Sequence, residues 1–208
     1  MRTLAPLSAW RLTLFWVAAL ALAGCGDAPK LARLAPDAVV LAFGDSLTYG
    51  TGAPEADSYP AQLERIIGRR VVREGVPGEV SAQALERLPA ALDEHRPRLL
   101  LLCIGGNDFL RNLSKAQVAE NVRREIALAK QRGIDVLLIG TPEKGLTVTP
   151  PKFYAELAGQ FGIPYEGKVI GEVLRSPELK SDPIHPNARG YRLIAERIAA
   201  LLQKSGAL

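Results

Sequence analysis

The fold is decided by residues 39–46, which read Val39-Val40-Leu41-Ala42-Phe43-Gly44-Asp45-Ser46. An unbroken apolar run opens this stretch, and such a short run is typical of a strand buried on both faces of a parallel sheet. The glycine that ends the run allows a sharp backbone turn. We therefore predict a buried strand over residues 39–43, with Asp45 and Ser46 standing just beyond its end.

Strand and helix patterns alternate along the rest of the chain. Further strands are predicted over residues 70–73, 98–104, 135–139 and 163–170. Apolar residues at helical spacing predict helices over residues 59–67, 81–95 (with Ser81 as N-cap), 114–132, 152–160 and 187–203. Because alternating strands and helices are joined by right-handed crossovers, we predict an α/β protein: a three-layer α/β/α sandwich with a mainly parallel sheet of about five strands.

Glycine-rich polar segments follow three of the predicted strands. Gly44-Asp45-Ser46 follows the first strand, Gly75 to Gly78 the second, and Gly105-Gly106-Asn107-Asp108 the third. In open parallel sheets, reactive groups lie on loops at the carboxyl ends of the strands. These three segments are therefore the candidates for a functional site.

Length and composition exclude several classes of protein. The chain of 208 residues can bury one core, and 48% hydrophobic against 23% charged residues excludes a disordered protein. Two cysteines exclude a disulfide scaffold, and two cysteines with two histidines argue against a structural zinc site. The formal net charge of +4 comes from interleaved acidic and basic residues, which argues against nucleic-acid binding.

The amino-terminal segment has the layout of a secretory signal peptide. Arg2 and Arg11 precede an uncharged apolar run over residues 12–23, which is shorter than the roughly 20 apolar residues that cross a bilayer. The run ends in Leu22-Ala23-Gly24-Cys25, which resembles a bacterial lipobox. The alternatives are an ordinary signal peptide cut nearby, with Cys25 incidental, and a buried amino-terminal helix of a cytoplasmic protein.

The lipobox resemblance implies an exported lipoprotein of the cell envelope. Residues 1–24 would be removed, Cys25 would carry diacylglycerol and hold the chain to a membrane, and residues 25–37 would form a tether. Gly26 stands where an aspartate signals inner-membrane retention in some bacteria, so we favour the periplasmic face of the outer membrane. The other cysteine, Cys103, is predicted to be a buried thiol without a partner.

Ser46 is a candidate nucleophile, and a serine nucleophile needs a histidine base that a carboxylate orients. The chain has two histidines. His95 ends a charged amphipathic helix and is predicted to be solvated there. His185 lies in a proline-stiffened loop before the last predicted helix, and Asp182 precedes it by three positions. One loop can therefore supply both the base and its carboxylate.

Three blocks of the sequence together resemble the SGNH/GDSL hydrolase family. They are Gly44-Asp45-Ser46-Leu47, Gly105-Gly106-Asn107-Asp108 with Leu110-Arg111, and Asp182 with Ile184-His185-Pro186-Asn187. The resemblance extends over residues 38–202 and makes residues 38–208 the hydrolase domain. Within the family, the second of these blocks looks most like the arylesterase, acyl-CoA thioesterase and lysophospholipase branch.

The resemblance implies a role for each matching residue. Ser46 would be the nucleophile, His185 the general base and then acid, and Asp182 the residue that orients it. The amides of Ser46 and Gly78 and the side chain of Asn107 would form the oxyanion hole. These roles imply a serine esterase that acts through an acyl-enzyme on small-molecule acyl esters or thioesters, with no metal or organic cofactor.

The block around Gly78 departs from the family pattern. The family has asparagine where this chain has Arg73, and Pro77 has no amide hydrogen. Asp45 and Asp108 are expected to brace loops rather than to react.

Two other functions fit the same sequence. The same residues would remove acetyl groups from cell-envelope polysaccharides, or the chain would be a tethered binding protein that has lost the chemistry. Apolar residues near the expected site favour acyl chains over glycans: Phe109, Leu110, Leu113, Leu146 and Phe153. Nothing in the sequence indicates an oligomeric state.

Overall fold

A computed structural model describes residues 29–143 and 148–208. The predicted signal peptide, Cys25 and Leu146 lie outside the described residues. The five strands are β1 (Val40–Gly44), β2 (Val71–Gly75), β3 (Leu99–Cys103), β4 (Asp135–Ile139) and β5 (Tyr165–Glu166). They form one parallel sheet in the order β2-β1-β3-β4-β5.

The helices cover both faces of the sheet. They are α1 (Ser46–Tyr49), α2 (Tyr59–Ile67), α3 (Ser81–His95), α4 (Gly106–Leu110), α5 (Lys115–Gln131), α6 (Phe153–Phe161), α7 (Val169–Arg175) and α8 (Ala188–Lys204). One apolar core joins α2, α7 and α8 to one face of the sheet, and a second joins α3, α5 and α6 to the other. The predicted three-layer α/β/α sandwich is confirmed. Among the described residues, no helix has the length and apolar character needed to cross a bilayer.

Some elements differ from the sequence prediction. The fifth strand is two residues long instead of spanning 163–170, because Glu166 accepts hydrogen bonds from the N–H groups of Lys168 (2.8 Å) and Val169 (2.9 Å) and the helix α7 begins there. The short helices α1 and α4 were not predicted, since neither is long enough to show a helical period.

The prediction that Ser81 is an N-cap is wrong. Ser81 is the first residue of α3, and Val80 precedes the helix. The hydroxyl and the N–H of Ser81 each donate to the carboxylate of Asp108, over 2.8 Å. Asp108 therefore ties the start of α3 to α4, as a loop brace would.

The carboxyl-terminal part of the tether predicted over residues 25–37 belongs to the folded domain. Ala32 donates its N–H to Asp135, the first residue of β4 (2.9 Å), and Leu34 donates to the carbonyl of Ala207 (2.9 Å). The side chain of Leu34 is buried in the core. This segment crosses the amino-terminal edge of the sheet, so a free tether would end by about residue 30.

The turn after β1 holds a buried carboxyl group. Asp45 accepts a hydrogen bond from the N–H of Leu47 (3.0 Å) and so begins α1. The pKa of Asp45 is raised to about 7, mainly by burial; the hydrogen bond from the Leu47 N–H opposes this rise, and the nearby charges of Asp108 and Glu79 contribute to it. Burial likewise raises the pKa of Glu125, whose two oxygens have no hydrogen-bond partner among the described residues.

Replacing Asp45 with asparagine should change how stability depends on pH. Between about pH 4 and pH 7, folded Asp45 keeps a proton that the unfolded chain has released, so the free energy of unfolding falls as the pH rises and levels off above pH 7. Asp45→Asn retains an acceptor for the Leu47 N–H but does not titrate. We expect the variant to lose part of that fall, at most on the order of 4 kcal/mol, in urea unfolding at a series of pH values. If the free energy of unfolding changed with pH in the same way for the wild type and Asp45→Asn, the account would be contradicted.

Candidate active site

The candidate residues meet at the carboxyl-terminal edge of the sheet. Ser46 begins α1 immediately beyond β1, and Asn107 is the second residue of α4, just beyond β3. His185 lies in the loop that precedes α8. Because β1 and β3 are paired neighbours in a parallel sheet, their carboxyl ends present Ser46 and Asn107 on the same side.

Ser46, His185 and Asp182 form one hydrogen-bonded chain. The Nε2 atom of His185 lies 3.0 Å from Ser46 Oγ, and its Nδ1 atom lies 2.7 Å from Asp182 Oδ2. An ionised carboxylate can only accept, so Nδ1 carries the hydrogen and Nε2 is free to accept the Ser46 proton. The three residues therefore have the geometry of a nucleophile, a base and an orienting acid.

Asp182 is held in its ionised form. Desolvation raises its pKa, but hydrogen bonds from the His185 ring and from the N–H groups of Ile184 and His185 outweigh it, and the pKa lies below its ordinary value. Both N–H groups donate to Asp182 Oδ1 over 2.8 Å. One carboxylate therefore organises its own loop with Oδ1 and the imidazole with Oδ2.

The loop that carries His185 packs against the segment after α1. Ser181 donates its N–H to the carbonyl of His185 over 3.0 Å, which closes the loop. Gly52 lies against it with φ at +97°, and a Cβ there would stand 2.1 Å from Ser181 Oγ. Asn187 then caps α8 through the N–H groups of Arg189 and Gly190. These contacts fix the imidazole relative to Ser46.

The loop before α3 is a type II turn. Glu79 donates its N–H to the carbonyl of Val76 (3.1 Å), and Gly78 has φ at +81°. Proline is favoured at the second position of such a turn, so Pro77 fits this conformation. The N–H of Gly78 donates to no group among the described residues.

Asn107 lies beside this turn. Its Nδ2 atom donates to the carbonyl of Glu79 over 3.0 Å, which leaves a second Nδ2 hydrogen for another acceptor. The structure thus brings Asn107 next to the Gly78–Glu79 peptide, and both follow strands that flank β1. The predicted oxyanion residues are arranged around the end of the strand that leads to Ser46.

A cavity of about 260 Å³ opens beside Ser46, His185 and Asn107. Most of its wall is apolar, contributed by Leu47, Leu110, Pro142, Val148, Leu174, Pro183 and Ile184. The wall also includes Glu143, whose carboxylate is ion-paired with Lys115. The cavity is suited to an apolar group attached to a carbonyl carbon at Ser46.

The apolar residues singled out in the sequence have different positions. Leu110 lines the cavity, but Phe109 and Phe153 belong to the core, with ring centroids 6.4 Å apart. Leu113 is exposed. Leu174, which the sequence did not single out, lines the cavity together with Val148, because α7 and the segment after β4 fold over the edge of the sheet.

His95 is not part of the site, and the prediction that it is solvated is wrong. Its side chain is largely buried, and Nε2 lies 3.0 Å from Glu74 Oε1.

Cys103 is a buried free thiol. No group of three or more His, Cys, Asp or Glu side chains in residues 29–143 and 148–208 could hold a metal ion.

Comparison with known proteins identifies the family of this chain. The model of the GDSL-like Lipase/Acylhydrolase family matches residues 42–193. "Thioesterase 1/protease 1/lysophospholipase L1" of Escherichia coli K12 is 32% identical over 82% of this chain and 86% of its own length. "Arylesterase" of Vibrio mimicus is 30% identical over 79% of this chain and 88% of its own.

Solved structures support the same family. The esterase AlinE4, described as an SGNH-hydrolase family esterase, superposes with a TM-score of 0.64 at 30% identity, covering 83% of this chain and 98% of AlinE4. The family match covers most of the chain, including the strands and loops that bring the candidate residues together. This chain therefore belongs to the GDSL-like lipase/acylhydrolase (SGNH hydrolase) family and is an ester hydrolase.

Proposed function

We propose that this chain hydrolyses carboxylic esters or thioesters with short to medium acyl or aryl groups, through an acyl-enzyme on Ser46. The observation that carries the proposal is the hydrogen-bonded chain from Asp182 through His185 to Ser46, which ends at an apolar cavity. Family membership shows that the chain is an ester hydrolase, and this geometry supports the role proposed for each of the three residues.

The reaction begins at Ser46 Oγ. His185 Nε2 takes the hydroxyl proton as Oγ attacks the carbonyl carbon, and Asp182 stabilises the imidazolium that forms. The tetrahedral intermediate collapses, the bond to the leaving alcohol or thiol breaks, and His185 returns the proton to the leaving group. Water then repeats the attack on the acyl-enzyme, which releases the carboxylic acid and regenerates Ser46.

Three donors would stabilise the oxyanion: the amides of Ser46 and Gly78 and the side chain of Asn107. The N–H of Gly78, which has no acceptor in the described part of the chain, and the second hydrogen of Asn107 Nδ2 support this assignment. A preorganised donor of this kind contributes about 3–4 kcal/mol to lowering the barrier.

The cavity favours acyl chains over glycans. Its wall is mostly apolar, and its volume of about 260 Å³ lies just below the range for small-molecule sites, which is roughly 300–1,000 Å³. Relatives named as a thioesterase and lysophospholipase and as an arylesterase support the same substrate class, with lysophospholipids among the candidates.

We further propose that lipid on Cys25 holds the chain to a membrane, on the periplasmic face of the cell envelope. The lipobox resemblance supports this. Residues 25–31 can span at most about 21 Å, whereas a domain of this size is about 40 Å across. Because the segment from residue 31 lies on the amino-terminal edge of the sheet, an anchor at Cys25 would leave the cavity facing away from the anchoring membrane.

A series of nitrophenyl esters tests the substrate class. A chain that begins at Gly26 keeps every described element, and we expect it to hydrolyse these esters with a rate that rises from acetate to chains of about eight carbons, as the apolar cavity fills. Ser46→Ala should lose at least about a thousandfold in kcat. Release of nitrophenol is the measurement.

The matched control is Ser205→Ala at the opposite edge of the fold, which removes a buried hydroxyl that has no hydrogen-bond partner within residues 29–143 and 148–208. This variant should retain full activity. Hydrolysis of the acetate alone would favour the polysaccharide O-acetyl esterase. A folded wild-type chain as inert as Ser46→Ala would make a tethered binding protein the better account.

Lipidation is tested by labelling the full chain in bacteria with an alkyne fatty acid. We expect the wild type to be labelled and to sediment with membranes, and Cys25→Ala to lose both properties. Cys103→Ala is the control, because that thiol is buried and should not affect the label. Equal labelling of Cys25→Ala, or no label on the wild type, would contradict the anchor.

A further inference from the structure

One guanidinium joins the segments that surround the active site. Arg87 of α3 donates Nε and Nη2 to the two carboxylate oxygens of Glu79, over 2.8 and 2.7 Å. Its Nη1 donates to Glu74 Oε2 over 3.0 Å, and its Nη2 also reaches the carbonyls of Gly44 (3.4 Å) and Glu74 (3.3 Å). The guanidinium carbon stands 4.0 Å from the centre of the Phe43 ring. The cation therefore contacts the ends of β1 and β2 and the turn before α3.

Two of these contacts, to Gly44 and to Glu79, lead to residues of the proposed chemistry. Gly44 precedes Ser46 by two positions. Glu79 follows Gly78 directly, and the carbonyl of Glu79 accepts the hydrogen bond that orients Asn107. Arg87 itself does not line the cavity. It is therefore placed to act through the residues around Ser46 without touching the substrate.

The Glu79 carboxylate depends on this cation. The side chain of Glu79 is 6% exposed, and both of its oxygens are bonded to Arg87. A buried carboxylate without a paired cation is strongly destabilised and moves towards water or takes up a proton. Removing the cation would therefore release the Glu79 side chain and, with it, the peptide that contacts Asn107.

The other contacts of this turn join it to the end of β1, where Val76 donates its N–H to the carbonyl of Gly44 over 3.0 Å, or are exposed or internal to it. Arg111 donates to the carbonyl of Gly78 over 2.7 Å, but that contact is exposed to water. Glu79 N–H closes the turn on Val76 within the same segment. The bidentate ion pair joins the buried Glu79 carboxylate of this turn to α3 through the partly buried Arg87 side chain.

We propose that Arg87 is a positioning residue: through Glu79, it sets the Gly78 amide and the Asn107 side chain to receive the oxyanion. The proposal rests on the proposed ester hydrolysis through Ser46. The two donors stabilise the negative charge that develops on the carbonyl oxygen in the transition state, and they contribute little to binding the neutral ester. Loss of Arg87 therefore lowers kcat and leaves KM nearly unchanged.

The test compares Arg87→Met with Arg132→Met in the full chain, solubilised in a mild detergent. Arg132 is also partly buried and contacts α3, through Asp93 (2.7 Å) and the carbonyl of Pro89 (3.1 Å), but near the other end of that helix. Ester hydrolysis gives kcat and KM, and urea unfolding gives the folded fraction. We expect Arg87→Met to lose about 10- to 100-fold in kcat per folded molecule, with KM within about threefold. Arg132→Met should lose stability only.

Two milder variants keep the test decisive if Arg87→Met fails to fold. Arg87→Lys keeps the charge but not the bidentate pair, so its kcat should lie between those of the wild type and the methionine variant. Glu79→Gln keeps the backbone carbonyl for Asn107 and should lower kcat, while the pH dependence of kcat/KM stays that of the wild type because His185 is unchanged.

The proposal is overturned if the folded Arg87 and Glu79 variants keep the kcat of the wild type, or if KM rises as much as kcat falls. A wild-type chain without Ser46-dependent hydrolysis would instead overturn the proposed function, and that result is visible before any Arg87 variant is measured.

Discussion

The structure depends on the parallel pairing of β1 with β3. Gly44 pairs with Cys103 at the last position of these strands, and a Cβ on Gly44 would stand 1.9 Å from the Cys103 carbonyl oxygen. Only glycine permits this approach. The close register brings the chain after β1, which carries Ser46, beside the chain after β3, which carries Asn107. The nucleophile and an oxyanion donor are thus neighbours because of backbone geometry, before any side chain contributes.

Several buried carboxyl groups lie near the carboxyl-terminal edge of the sheet. Asp45, Glu79 and Asp108 are buried near one another, and Arg87 is the cation that pairs with Glu79. Burial leaves the pKa of Asp45 at about 7, whereas hydrogen bonds hold Asp182 in its ionised form. Near neutral pH, Asp45 is therefore only partly ionised, whereas Asp182, which contacts His185, is ionised. The buried carboxyl groups brace the backbone that carries Ser46 and Asn107.

The sequence predicted those parts that depend on local pattern. We could recognise the apolar runs of β1, β3 and β4 because each consists of consecutive residues. The same holds for the motifs that contain Ser46, Asn107 and His185. The cavity wall was not, since Leu174 reaches it only through α7, whose start depends on the side chain of Glu166. The docking of residues 31–37 was also missed, because it depends on contacts with the far end of the chain.

The same distinction applies to the contacts around the turn before α3. Pro77 departs from the family pattern in the sequence, but the type II turn accommodates it. Glu79 and Arg87 are eight positions apart and carry no motif, so only the folded chain shows that their ion pair joins this turn to α3. The reactive residues on the loops can be recognised in the sequence from their types. The residues that hold those loops in place are found only from interatomic distances in the structure.

The account depends most on Ser46 as the nucleophile, and a fluorophosphonate tests this directly. Ser46 Oγ would form a bond to phosphorus as fluoride leaves and His185 takes the proton. Mass spectrometry of the digested chain should then find one adduct, on Ser46, which forms far more slowly in His185→Ala. No adduct on a folded chain, or labelling of another residue at an unchanged rate in Ser46→Ala, would contradict the account.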